Sequence, residues 1–569
     1  MEQGTKGHRR SSTRWPSVLP ALLAGVLLSV GVGWGSASAA SSSGSATDSG
    51  GSWKPPPCHR PPAAPVVASP VAGVASDWTI TSFDGTKIRA HWFPVAGATP
   101  QHPAPTVLMG PGWGEAGDTD LSGTGDLFGT VSISDLHRAG YNVLTWDPRG
   151  FGHSTGTIEI DSPDYEAKDV SRLIDWVATR PGVELDGPGD PRMGMVGGSY
   201  GGGIQWVTAA QDCRIDAIVP TISWHSLTTS LDKSGIPKIG WANLLLAAAA
   251  GRSLDPHIVS SSAEANSTGR IDAANEAWFA ARGPGNLVSD IHIPTLIVQG
   301  TVDTLFTLDE GITNYKQVHA DHVPVSMLWY CGGHGVCLTN QGNPSAVETA
   351  TIDWLNRWVK RDPSVGTGPR VDLIDQHGVR YAATGYPLPT IAPLRGEGSG
   401  TLPLVAAGGS GPFSEPKGRP GSHAELAPEA FPILPAKATT AVDVRIHGRT
   451  KKSLVVGAPL LHITYRGTTS PGVRPTAVFA QLVDDSTGLV VGSQVTPVPV
   501  TLDGAAHTAT IPLETICQSV APDQTLTLQI VATTVAYATP RLGGSVDFTH
   551  IGISLPVVKP SAVTVSKQA

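Results

Sequence analysis

Beyond Pro105, short uninterrupted apolar runs alternate with stretches whose apolar residues recur at helical spacing. Thr106 to Gly110, Asn142 to Asp147, Met193 to Gly197, Ala217 to Ile222, Thr295 to Gly300 and Val325 to Tyr330 are the runs. Each has the length and apolarity of a strand covered on both faces. Between them, Glu166 to Thr179 sets Ala167, Val170, Leu173, Ile174 and Val177 on one stripe, and Pro181 ends it. The alternation predicts an α/β domain with a mostly parallel sheet flanked by helices. Ahead of it, Trp78 to Ser82 and Lys87 to Phe93 meet at Asp84-Gly85, a pair suited to a tight hairpin turn.

Two breaks interrupt this rhythm. Ser223 to Asp290 is too long for a simple crossover and carries apolar helical pieces at Trp241 to Ala250 and Ala273 to Ala281. We read it as an inserted cap over the strand ends that carry sites in open α/β sheets. After Asp362-Pro363, helical spacing disappears and short strand-like runs such as Val371 to Ile374, Val442 to Ile446, Ala477 to Val483 and Leu526 to Val531 are separated by Gly, Pro and Asp-Asp turns. That style predicts an all-β sandwich or jelly roll. The expected organisation is a signal peptide over 1–39, a flexible Ser/Gly/Pro-rich lead over 40–76, an α/β domain over 77–362 with its cap at 223–290, and a β domain over 363–569.

Composition narrows the function classes. With 569 residues, 40% apolar, 15% charged and a net charge of -8, the chain has no basic stripe suited to nucleic acid. Lys6, Arg9, Arg10 and Arg14 precede the apolar Val18 to Trp34, and Ala37-Ser38-Ala39 follows. This is the pattern of a cleaved export signal, so the mature chain is expected to be secreted or held at the cell envelope, with no later membrane span. In an oxidising compartment, Cys331 and Cys337 can close a small loop, while Cys58, Cys213 and Cys517 cannot be paired from the sequence.

The chemistry begins at Gly197-Gly198-Ser199-Tyr200-Gly201, between the strand from Met193 and the helical Ile204 to Ala210. Strand, sharp turn and helix in that order expose a nucleophilic serine at the strand end. Serine needs a base oriented by an acid, in the chain order Ser, acid, His. Asp303 lies just past the strand Thr295 to Gly300, and His334 just past Val325 to Tyr330. Ser199, Asp303 and His334 are therefore the expected triad. Asp309 and Glu310 sit where a helix should start, His319 and His322 precede a strand, and His153 reads as a turn residue. The backbone N–H of Tyr200 and that of Trp113, in Pro111-Gly112-Trp113-Gly114, are the expected oxyanion donors; Pro111 has no N–H. No metal-binding run and no phosphate loop is present, so neither cofactor nor metal is expected.

With these marks in place, about Asp77 to Pro556 resembles the Xaa-Pro dipeptidyl-peptidase and cocaine esterase-like family of α/β-hydrolases. The resemblance rests on Gly197 to Gly202, on Asp147-Pro148-Arg149-Gly150-Phe151-Gly152-His153-Ser154 and on Tyr386-Pro387-Leu388-Pro389, where the family usually has a tryptophan before Pro-Leu-Pro. It implies a helical cap, a carboxyl-terminal jelly roll and acyl hydrolysis of a small ester, peptide or amide. The family's tyrosine hydroxyl donor near the third strand has no counterpart in Gly110 to Gly114, which leaves the oxyanion to backbone. Peptidase action on an Xaa-Pro amino terminus would need acidic groups for the free amine; Glu115, Asp118 and Asp120 are candidates by location, and a solvated acidic loop is the preferred reading of them. The competing expectations are an inert wall- or glycan-binding protein and an acyltransferase using the same triad.

Overall fold

A computed structural model of the chain describes Cys58 and residues 65–123, 130–320, 323–412 and 433–566. The signal-peptide expectation, residues 1–39, and His322 lie outside the described residues.

The α/β domain is built on one mixed sheet. Its strands are β1 (Ala68–Pro70), β2 (Asp77–Thr81), β3 (Lys87–Phe93), β4 (Thr106–Met109), β5 (Asn142–Trp146), β6 (Met193–Gly198), β7 (Ala217–Thr221), β8 (Thr295–Gly300), β9 (Val325–Tyr330), β10 (Val371–Ile374) and β11 (Arg380–Ala383). They lie in the order β1-β2-β3-β5-β4-β6-β7-β8-β9-β10-β11, and a last strand, Thr564–Val565, pairs with β11. From β5 through β10 all neighbours are parallel. β4 through β9 are buried along their whole length, which explains why their sequences are apolar without alternation.

Helices cover both faces. α1 (Ile133–Arg138) and, after the cap, Ala346–Trp358 close one face through Ile133, Leu136, Trp354 and Leu355. α2 (Glu166–Val177), α3 (Tyr200–Ala209) and Leu308–Ala320 close the other through Leu173, Ile174, Trp206 and Ile312. β5 and β6 lie on opposite sides of β4, so the chain reverses direction across the sheet there. Such a switch point leaves a crevice at the carboxyl ends of the strands.

The insertion between β7 and β8 is helical. It comprises α4 (Leu227–Leu231), α5 (Ile239–Ala248), α6 (Pro256–Thr268) and α7 (Ala273–Ala280), then the 3₁₀ turn Gly285–Asp290. Asp255 and Asp272 cap α6 and α7 through their carboxylates, as short polar residues do at helix starts. The apolar side chains of these helices pack with Phe151, Tyr200, Trp224 and Phe306.

Two expected boundaries move. The lead assigned to 40–76 ends earlier, because β1 pairs with β2 from Ala68↔Ile80 to Pro70↔Trp78 and Cys58 is bonded to Cys213. The change to β architecture also comes later than 363, because β10 adds in parallel to β9 and β11 folds back on β10, both inside the hydrolase sheet. The β sandwich proper runs from Thr390 to Val558. One sheet has the order Asp503–Pro512, Leu460–Thr469, Gly544–Val558, Ser453–Gly457, Ile516–Val520, with Thr390–Pro403 also paired to Gly544–Val558. The second has the order Val442–His447, Thr525–Val531, Ala477–Asp484, Leu489–Pro499. Leu461, Ile463, Val478, Leu528, Phe548 and Ile553 fill the space between them.

Candidate active site

β6 runs straight into α3, and Ser199 stands between them with φ 56° and ψ -115°. That conformation is strained for a residue with a Cβ. It is held by Ser199 N–H donating to Thr221 O at 2.9 Å and by Gly202 and Gly203 N–H donating to Ser199 O, each at 2.9 Å. Glycine is required by close approach as well. A Cβ on Gly201 would lie 2.1 Å from Gly110 O, and one on Gly197 2.6 Å from the same atom. The elbow and the end of β4 thus touch backbone to backbone, which brings the loop after β4 beside the serine.

Three side chains from three strand ends meet at this point. Ser199 Oγ lies 2.8 Å from His334 Nε2, and His334 Nδ1 lies 2.8 Å from Asp303 Oδ2. Asp303 is fully buried, and its other oxygen accepts the N–H groups of Leu305 at 3.0 Å and Phe306 at 2.8 Å. The imidazole is held edge-on by Trp241 and Phe306, with ring centroids 5.6 and 5.1 Å away. The Cys331–Cys337 disulfide closes the loop that carries His334. A hydroxyl in reach of an imidazole that a carboxylate orients can act as a nucleophile toward an acyl carbon.

Tyr200 opens α3, so its N–H is one of the donors a helix start leaves without an intrahelical partner. Trp113 is fixed through its side chain. The indole N–H donates to Leu245 O of α5 at 2.8 Å, and the ring packs edge-on against Phe151 and Tyr200 at 5.1 and 5.4 Å. The neighbouring Gly112 N–H is already engaged with Glu115 at 3.0 Å. Burial raises the pKa of the Glu115 carboxyl, which faces Gly112. Burial also raises that of Asp118, while Asp120 accepts from Ser122.

The rival acids and histidines have other tasks. Glu310 accepts the N–H groups of His225 and Ser226 at 2.8 and 3.0 Å, tying the start of the cap to the helix Leu308–Ala320. His319 stacks on Tyr315. His153 is exposed, and its N–H donates to Asp147 Oδ2. Asp147, in the segment that carries the family resemblance, also accepts from Gly117 N–H at 2.9 Å and lies 3.1 Å from His91 Nε2. Burial pushes its pKa up, but these partners outweigh it and hold the carboxyl below its usual range.

Residues far along the chain brace the acid loop, and no motif announces them. Gln494 of Leu489–Pro499 donates to Asp303 O at 2.8 Å, and Thr307 Oγ1 donates to Glu514 at 2.9 Å. From the cap, Lys238 Nζ donates to Thr304 O at 3.1 Å and Leu305 O at 2.8 Å, and Trp241 Nε1 donates to Thr304 Oγ1 at 3.1 Å. Lys238 is buried, and that burial brings its pKa down to about 8. Glu514 is buried too, yet Lys233 and Lys238 hold its carboxyl below the usual range, while burial and the Glu514 charge push Asp309 up. The local sequence around Gln494 and Glu514 reads only as strand and turn.

Residues 84–336 match the family described as X-Pro dipeptidyl-peptidase (S15 family). Among curated proteins, the chain is 32% identical to YtaP of Bacillus subtilis (strain 168) over 23% of this chain and 50% of that protein. The chain spans half or less of the length of the curated relatives it matches. Among solved structures, an α-amino acid ester hydrolase superposes with a TM-score of 0.64 at 14% identity, covering 86% of this chain and 98% of that one. A CocE/NonD family hydrolase from Staphylococcus aureus superposes with a TM-score of 0.58, also at 14% identity, covering 87% of this chain and 94% of that one. These two likenesses carry the fold, an α/β-hydrolase sheet followed by a β-rich domain. Together with the family match, they agree with the resemblance read from the elbow and from Asp147 to Ser154: over residues 84–336 the chain is similar to the X-Pro dipeptidyl-peptidase (S15) family of hydrolases, and its fold is the one these two hydrolases share.

Proposed function

We propose that the protein is an exported serine hydrolase that cleaves an ester or amide through an acyl-enzyme on Ser199. The observation that carries this reading is the pair of 2.8 Å contacts linking Ser199, His334 and Asp303. His334 takes the Ser199 proton as Oγ bonds to the substrate carbonyl carbon, and Asp303 keeps the imidazole in the tautomer whose Nε2 accepts. The Tyr200 and Trp113 N–H groups receive the developing oxyanion, each on the order of 3 kcal/mol of transition-state stabilisation. When the bond to the leaving group breaks, His334 returns the proton to it. Water then adds to the acyl-enzyme by the same route, and the acid departs.

Export is supported by the two disulfides, Cys58–Cys213 and Cys331–Cys337, which suit an oxidising compartment. The reaction is tested with a fluorophosphonate probe. Labelling of the folded wild type that disappears in Ser199→Ala is expected, and folded wild type that takes no label refutes the acyl-enzyme.

A further inference from the structure

A chamber of about 910 Å³, counting its mouth, opens from Ser199 under the cap. Trp113 and Tyr200 form its wall beside the nucleophile, and Leu305 and Phe306 continue it along the acid loop. The cap contributes Leu245 and Leu246 of α5, Ile258 and Ala265 of α6, and Phe279 of α7. Ile258, Ala265 and Phe279 are buried, so packed protein backs this part of the wall. Small-molecule sites usually carry a few convergent polar groups. In this wall they are scarce. The Ser261 hydroxyl is turned onto His257 O and Ile258 O of its own helix. Asp232 is the one carboxylate in the lining. Burial, with Glu276 nearby, pushes its pKa up to about 6, toward the neutral form.

α5 adds an independent sign. Its sequence Ile-Gly-Trp-Ala-Asn-Leu-Leu-Leu-Ala-Ala is apolar almost all round, a composition found in helices enclosed on every side. Yet only Trp241 is fully buried, and Leu244, Leu245 and Leu246 are half-covered. Two of those leucines face the chamber, so the uncovered apolar surface adjoins the nucleophile. Uncovered apolar surface that lines a pocket is suited to an apolar ligand.

We infer that the chamber takes the hydrocarbon chain of an acyl group, and that the substrate is an ester of a medium- or long-chain apolar acid. This rests on the acyl-enzyme reading above. An apolar chamber that opens at Ser199 suits the part of the substrate that stays bonded to that oxygen, because the alcohol must leave before water enters. A dipeptide would instead need its ammonium held near Ser199. Glu115, the nearest expected acid in sequence to the oxyanion loop, is turned to Gly112 and is absent from the chamber lining.

The test compares p-nitrophenyl acetate, butyrate, hexanoate, octanoate and decanoate with Xaa-Pro p-nitroanilides and with acetate esters of alkanols of increasing length. All rates are normalised to Ser199 labelled by fluorophosphonate. Each buried methylene is expected to raise kcat/KM about fourfold, a few hundredfold from acetate to hexanoate. Ala265→Trp, or Leu246→Trp should the first variant fail to fold, narrows the chamber. Either is expected to lower the decanoate-to-acetate ratio of kcat/KM at least tenfold. Labelled enzyme with a flat acyl-chain profile, with a response to the alcohol chain alone, or with faster cleavage of Xaa-Pro anilides than of octanoate overturns the inference. Absence of labelling overturns the acyl-enzyme reading itself.

Discussion

Asp303→Asn is the sharpest probe of the triad geometry, because the structure dictates how the amide must sit. Asp303 Oδ1 accepts two backbone N–H groups, from Leu305 at 3.0 Å and Phe306 at 2.8 Å, while Oδ2 faces His334 Nδ1 at 2.8 Å. If the asparagine NH2 took the Oδ1 position, it would oppose two buried donors, and each unmet group costs about 1–3 kcal/mol. The oxygen therefore stays with the backbone and the NH2 points at His334. Nδ1 must then accept, the ring proton moves to Nε2, and Nε2 donates to Ser199 when it should accept from it. The protein keeps its hydrogen-bond count and its fold but loses its base. The expected loss is on the order of 10⁴ in kcat, about 5 kcal/mol of barrier, with KM little changed. Initial rates on a p-nitrophenyl ester, with circular dichroism and thermal melting as controls, measure it. A folded variant within tenfold of wild-type kcat would refute the reasoning, as would a loss of rate accounted for by unfolding.

Gln494→Leu leaves the buried Asp303 carbonyl without the donor that reaches it from the β domain, so stability should fall by about 1–3 kcal/mol in urea titration and kcat should fall with it. Replacing Cys331 and Cys337 together by serine frees a loop whose ends are 6 residues apart, a chain-entropy loss of about 2 kcal/mol; a smaller melting shift would show that Asp303 and the rings around His334 hold the loop unaided. Glu166 is fully buried at the foot of α2, and that burial raises its pKa to about 7. The folded state thus binds a proton that the unfolded chain releases near pH 4, and the stability it contributes is present below that pH and lost as pH rises through 7. Thermal melts of wild type and Glu166→Gln between pH 5 and 8 should differ in slope, with the variant flatter.

Ser199, Asp303 and His334 were legible because each follows a short apolar strand, and strand ends in such a sheet share one rim. The elbow is also written locally, in glycines whose absent side chains let backbone meet backbone. The assignments that moved depended on pairing between distant segments. Val371–Ile374 and Arg380–Ala383 have the length of sandwich strands, and nothing in four residues says that β9, not another sandwich strand, lies beside them. Ala68–Pro70 contains a proline and too few residues for a periodic signal. Cys58 meets Cys213 across 155 positions, and Gln494 meets Asp303 across 191. Burial and hydrogen bonding of that kind leave no trace in a local window.

The strand Thr564–Val565 returns to pair with β11, the same strand from which the chain departs into the sandwich. Topologically the second domain is therefore a very long excursion within one edge hairpin of the first. A body suspended at two adjacent points cannot swivel as one on a single tether can. Lengthening either connection alone, for instance between Pro389 and Thr390, leaves the other strap in place. The pair should tumble in solution as one rigid particle. Separating them would require cutting both straps, so the second domain is a poor candidate for exchange with the equivalent part of another protein by a single crossover.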